Sequence, residues 1–357
     1  MTIRERIEAA LRGEMPDQVP FTIYPGMLPR GSLERRLRQL GLGFAWRAGG
    51  ITWQYPNCRI ETRNYIEGNA SLLRTIYRTP IGELTSVRQT GSAYGSSWTL
   101  EWPVKTQNDY RIMEFIQRDA IPVANYDAII KAQRDVGDDG VVLAGLGYSP
   151  LMEMLVNLIG INNFGLHLAD YPEEFWSLYD ALTAKMRRAY PILAAAPAQA
   201  ALYCGNVHPK VVGLHRFEKN ILPHYEELAA YLHEKGKLLG VHLDADNQLF
   251  KAAVARSSID FVEAFTPPPD CDLSVTEARQ AWPKKVLWIN FPSSIHLAPV
   301  ETIRQVTRQL LAESAPGDRF IIGITEDIPE QRWTESLLAI AETIRAYGRT
   351  PIAHRLP

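Results

Sequence analysis

The chain has 357 residues, 46% hydrophobic and 22% charged, the proportions of a folded globular protein rather than a disordered one. Its 38 Lys and Arg against 40 Asp and Glu leave a formal charge of −2, without the basic excess of a dedicated nucleic-acid binder. Cys58, Cys204 and Cys271 lie too far apart for a CxxC pair or a disulfide framework, and no apolar run reaches the roughly 18 residues of a membrane span.

The first residues, Met1 to Arg6, are charged and helical in pattern, so the sequence predicts no signal peptide and a cytoplasmic protein. Thr2 and Glu5 fit a capping box, and Ile3, Ile7, Ala10 and Leu11 form a helical apolar stripe. Val19 to Tyr24 reads as a short buried strand stopped by Pro25-Gly26, and Leu33 to Leu40 as a helix. From Arg59 to Val104 the pattern changes. Leu73–Arg78 alternates, Pro80-Ile81-Gly82 turns, and Glu83–Gln89 and Trp98–Trp102 alternate again, predicting an antiparallel excursion of two or three strands. Its aromatics Tyr65, Tyr77, Tyr94, Trp98 and Trp102 suit either the cover of a flat ligand or the surface of a homodimer.

From Val141 onward strand, loop and helix succeed one another. The predicted strands are 141–146, 200–203, 238–242, 261–264, 286–290 and 320–323. The predicted helices are 151–158, 175–193, 217–235, 249–255, 275–281, 300–313 and 332–347. Ser149-Pro150 marks one helix start, and Ser274 with Glu277 another. Short, continuously apolar strands separated by helices demand a parallel sheet covered by helices. No GxGxxG or P-loop pattern follows any strand, which disfavours an open nucleotide-binding sheet. The expected fold is α/β: one distorted (β/α)8 TIM-like barrel over residues 1–357, with residues 59–104 as its antiparallel excursion.

Barrels carry their chemistry at the C-terminal strand ends. Those ends hold Tyr24, Tyr148, Asn206, His208, His242, Asp244, Asp246, Glu263, Asn290 and Glu326. In His242-x-Asp244 the two side chains point to one side of the strand and can grip one cation or one polar group. Glu326 or Glu263 is placed to add a third ligand of an N/O site for zinc or a harder cation. Alternatively Asp244 or Asp246 caps the helix that follows. His208 suits acid–base work, since histidine titrates near neutrality. Cys204 reads as an inert buried thiol.

The run Thr2–Glu14 followed by Pro16–Phe21, with Thr79–Gly82, the segment Gly145–Gly160, Phe217–Pro223 and Gly317-Asp318, resembles the uroporphyrinogen decarboxylase superfamily along nearly the whole chain. The resemblance implies a distorted (β/α)8 barrel and an enzyme, either a porphyrinogen decarboxylase or a methyltransferase working with methylated corrinoid proteins. The decarboxylases carry an arginine-rich loop after the first strand, where this chain offers only Arg30. The His-x-Cys pair of the superfamily's zinc-dependent thiol methyltransferases aligns with His242-x-Asp244, and their second cysteine lies near Glu326. The expectation is therefore a corrinoid-linked methyltransferase with His242, Asp244 and Glu326 on a metal, zinc for example, or on the substrate. His208 joins them as a catalytic group. Tyr24, Arg30, Tyr148, Asn206, Asp246, Glu263 and Asn290 contact the substrate, and methylcobalamin arrives on a separate corrinoid protein. The alternatives are a decarboxylase that uses Arg30 as a carboxylate clamp, and a non-catalytic ligand-binding barrel.

Overall fold

Thr2 opens the first helix as its spacing predicts. Its hydroxyl accepts from the Glu5 N–H while the Glu5 carboxylate accepts from the Thr2 N–H, capping the helix Ile3–Leu11. The apolar side of that helix, Ile7, Ala10 and Leu11, enters one core with Ala45, Val141, Leu143, Ala200, Leu202, Phe261, Val286, Trp288 and Ile321. These last nine lie on barrel strands, so the helix stoppers the barrel at its N-terminal end.

The computed structural model describes residues 1–28, 30–91 and 97–356. The chain packs as two compact units. One comprises Met1–Gly50, Tyr126–Leu146 and Ala196–Pro357, and the other Ile51–Asn125 and Gly147–Ala195. No helix among the described residues is long and apolar enough to cross a membrane.

The first unit is a closed barrel of eight parallel strands. In spatial order they are Phe21–Ile23, Phe320–Ile324, Val286–Asn290, Phe261–Phe265, Leu238–His242, Ala200–Tyr203, Gly140–Leu146 and Leu42–Gly49, which returns to the first. Seven of them fall where the sequence pattern puts them. The eighth, Leu42–Gly49, escapes it because Gly43, Arg47 and Gly49 break the apolar run. Gly140 lets this strand lie close: a Cβ there would stand 2.3 Å from the Phe44 carbonyl oxygen. Inside the barrel Gly240 leaves room for the Phe261 ring, and Trp288 Nε1 donates to Thr22 Oγ1 at 2.9 Å. Each fully buried aliphatic or aromatic side chain there contributes about 2 kcal/mol by leaving water.

The second unit holds a four-stranded antiparallel sheet, Arg59–Glu67, Ala70–Thr79, Gly82–Thr90 and Trp98–Glu101, and a two-stranded ribbon of Ile51–Gln54 with Ile121–Ala124. The expected excursion thus has one strand more than foreseen. Arg59–Glu67 has no fully buried residue and so no apolar alternation to read. Tyr94 lies outside the described residues. Helices Gln107–Asp119, Ile161–Asp170 and Pro172–Ala195 complete the unit, with Pro150–Glu153 running into a π-helical turn, Met154–Ile159. Ser149 stands at the expected N-cap, but its hydroxyl makes no capping bond.

Candidate active site at the barrel mouth

Side chains of a strand alternate between two faces, so the inward set of each barrel strand follows from its core residue. Counting on by two from Ala45, Leu202, Phe261 and Trp288 gives Arg47, Cys204, Glu263 and Asn290. On the neighbouring strands Gly240 leads to His242 and Thr22 to Tyr24. The apolar interior therefore ends in a polar layer at the C-terminal mouth.

Glu263 is the centre of that layer and is 1% exposed. Parallel pairing sets His242 in register with Glu263 on the adjoining strand. His242 Nδ1 lies 2.6 Å from Glu263 Oε2, and the Tyr24 hydroxyl donates to Glu263 Oε1. His242 Nε2 faces Asp244 Oδ2 at 3.4 Å, so each ring nitrogen meets a carboxylate. The Arg47 guanidinium sits 4.1 Å from the centre of the Tyr24 ring, a cation–π contact, and Arg47 itself is exposed.

These contacts decide the charges. Burial by itself depresses the His242 pKa, but the Glu263 charge and hydrogen bonds to Asp244 and Glu263 outweigh it and raise the value to about 10. Burial disfavours the charged forms of Glu263 and Asp244 as well, yet the imidazolium holds both below the ordinary carboxylate range. His208 adds its charge to the lowering of Asp244. Burial and the Glu263 charge push the Tyr24 phenol far upward, against a smaller opposing pull from Arg47. At neutral pH the site is an imidazolium between two carboxylates, braced by a neutral phenol.

The backbone is arranged for this grouping. Ala264 takes a left-handed φ of 57°, where the pairing with the next strand slips between Glu263 and Phe265. Such a kink in a non-glycine residue is strained and re-aims the side chains beside it. Gly205 packs so tightly on His242 that a Cβ would lie 1.7 Å from the His242 carbonyl oxygen.

Of the residues expected at the site, the barrel brings Tyr24, His242, Asp244 and Glu263 together, with His208 near enough to act on Asp244. His208 also caps its own helix, Nδ1 accepting from the Lys210 N–H at 3.2 Å. Asp246 faces Lys210 Nζ at 3.8 Å, and Asn206 is exposed with a left-handed φ of 63°. Neither Asp244 nor Asp246 caps the following helix. The Asn247 and Gln248 N–H groups instead donate to Asp272, and the helix begins at Lys251. Asn290 is buried and ties two loops together, accepting from the Thr325 N–H at 3.0 Å. Tyr148 belongs to the other unit and is half-buried there.

Two expectations are corrected. Arg30 is no clamp at the mouth: its side chain is 72% exposed and pairs with Glu34. Glu326 is not the third partner of His242, because its exposed carboxylate is taken by the Ser293 hydroxyl. Among the described residues no three His, Cys, Asp or Glu side chains are placed to hold a metal ion. Arg47 is the functional candidate that sequence reasoning missed. Its signal was the two-residue step from Ala45, on a strand that went unread.

A family model described as uroporphyrinogen decarboxylase (URO-D) matches residues 96–347, more than two thirds of the chain. The chain belongs to the URO-D family. Among solved structures, a methyltransferase from Methanosarcina mazei is 13% identical and aligns over 97% of this chain and 99% of its own, with a TM-score of 0.57. At that identity the likeness shows the fold alone. A GH20 catalytic module of the pneumococcal exo-beta-D-N-acetylglucosaminidase StrH is 8% identical over 95% of this chain and 86% of its own, with a TM-score of 0.37, which carries no argument. No curated protein matches the sequence.

Proposed function

We propose that this URO-D family member is a small-molecule methyltransferase whose barrel mouth delivers a proton while a methyl group passes between its substrate and a corrinoid held by a separate protein. The observation that carries the reading is the His242 imidazole, half-buried and kept protonated between Glu263 and Asp244. When a methyl group leaves oxygen or nitrogen, the C–O or C–N electron pair stays on the heteroatom. A proton delivered to that atom as the bond breaks accelerates the step by roughly 10²–10⁴-fold. His242 Nε2–H is the proton donor and Asp244 steadies it. Glu263 holds the ring's charge and tautomer through Nδ1, and Tyr24 fixes Glu263 by its other oxygen. His208 and Asn206 orient the substrate from the neighbouring loop, and exposed Arg47 offers a cation to a negative group on it. The corrinoid supplies the methyl acceptor, or the donor when the reaction runs in reverse.

Two facts favour this over decarboxylation of a tetrapyrrole. The loop after the first strand has no arginine cluster, and its one arginine turns to Glu34. Several carboxylates need several cations. The name of the Methanosarcina neighbour accords with the reading.

The test is the visible spectrum of cobalamin. Methylcob(III)alamin is mixed with the full-length protein and a panel of small thiols, amines and phenols. Cob(I)alamin is mixed likewise with their methylated forms. A protein-dependent change with one panel member, lost in His242→Gln, is expected. No change with any member, or CO2 release from a carboxylated panel without cobalamin, overturns it. That second outcome would support a decarboxylase of a small acid, which one observation favours: Arg47 stands over Tyr24 where a substrate carboxylate could rest.

A further inference from the structure

The strand Arg59–Glu67 is paired on one side only. It runs against Ala70–Thr79 in unbroken register, from Arg59 opposite Arg78 to Glu67 opposite Ala70. Among the described residues no strand lies along its other edge. Unpaired N–H and C=O groups on a sheet edge are a template for another strand, and proteins commonly blunt such edges with charged side chains, lysine above all, with proline or with a bulge. Residues 59–67 contain neither lysine nor proline, and their pairing shows no bulge. Instead the edge exposes two isoleucines, Ile60 at 38% and Ile66 at 78%.

We propose that this edge pairs with the same edge of a second copy of the chain, antiparallel about a two-fold axis at Arg63, joining two four-stranded sheets into one of eight. The sequence is complementary to itself in that register. Arg59 of one copy faces Glu67 of the other, Ile60 faces Ile66, Glu61 faces Tyr65 and Thr62 faces Asn64. Because side chains alternate, both isoleucine pairs fall on one face and both Arg–Glu pairs on the opposite face. Arg63 meets its own copy, the one like-charge contact. Each Glu61 bridges Arg59 at 2.7 Å and Arg63 at 3.4 Å on its own strand, so two carboxylates flank the two Arg63 guanidinium groups. The Arg59–Glu67 and Ile60–Ile66 matches each occur twice about the two-fold axis, a symmetry that a merely guarded edge would not require. An isologous contact of this kind closes on itself as a dimer and goes no further.

Size-exclusion chromatography with light scattering, on the full chain over a range of concentrations, tests the proposal. The expected mass is twice 40.2 kDa. The double variant Ile60→Lys/Ile66→Lys should elute as a monomer with the far-UV circular dichroism of the folded wild type, since both sites are exposed in the single chain. In a second experiment Arg63→Cys is oxidised with diamide. Two symmetry-related thiols lose their hydrogens to the diamide N=N bond and become one disulfide, giving a covalent dimer on a non-reducing gel. Ile130→Cys, exposed but off this edge, should give none beyond the wild-type level. A monomeric wild type, a dimer indifferent to the two lysines, or no cross-link at Arg63→Cys overturns the proposal.

Discussion

Glu263 serves Tyr24 and His242 at once, one carboxylate oxygen accepting from the phenol and the other from the imidazole at 2.6 Å. It faces His242 across two adjacent parallel strands, so the barrel's own register makes the pair. Replacing Glu263 with Gln removes the charge that sustains the imidazolium but keeps the shape. The His242 titration, followed by NMR of its ring protons, should fall from about 10 toward the ordinary histidine range. Turnover at neutral pH should drop by roughly 10²-fold, as for loss of a general acid. An unchanged titration would show that Glu263 does not hold the proton on His242.

The same charges set the pH dependence of stability. His242 binds its proton more tightly folded than unfolded. Its contribution is therefore complete below the unfolded value, about 6.5, and is lost as pH rises through about 10. Glu263 and Asp244 shift the other way, so their contribution holds above the unfolded carboxylate range and is lost as pH falls through their lowered values. Melting temperature against pH should show a plateau on the mildly acidic side, between the carboxylate range and about 6.5, and a progressive decline from there toward pH 10. In Glu263→Gln the alkaline decline should move to lower pH, and thermal scans across buffers would detect it.

Gly205→Ala pushes a methyl group into the His242 carbonyl oxygen. Neither backbone can yield easily, so the variant should lose about 3 kcal/mol in denaturant unfolding. Its residual folded fraction should also be impaired in catalysis, because His242 is displaced.

Arg47 and Arg30 make opposite predictions. Arg47→Ala should raise KM for an anionic substrate about tenfold, the scale of one exposed charge-assisted hydrogen bond. Arg30→Ala should leave KM unchanged, since that side chain pairs with Glu34 in solvent. Steady-state kinetics of the two variants side by side decide between them.

Much of this architecture is legible in the residues. Strands 141–146 and 286–290 are short apolar runs that only a covered parallel sheet can bury, and the two-residue step from Gly240 to His242 locates a mouth residue. Periodicity within one strand, however, is silent about which residue of another strand lies opposite. Glu326 and Glu263 were equally eligible partners for His242, and only the register Gly240–Phe261, His242–Glu263 separates them. Arg47 was hidden for a different reason. Two glycines and the arginine among its eight residues break the apolar run, although the strand pairs with Gly140–Leu146 over six residues. Arg59–Glu67 was hidden in the same way, being a strand with almost nothing to bury.

The helix Ile3–Leu11 has a kinetic consequence. By filling the barrel's N-terminal end with Ile7, Ala10 and Leu11 it leaves the interior with one door. On the proposed function, a substrate would then reach His242, and its product leave it, on the side of Tyr24 and Arg47. Product held there would meet incoming substrate at the same His242, so product inhibition competitive with the substrate is expected.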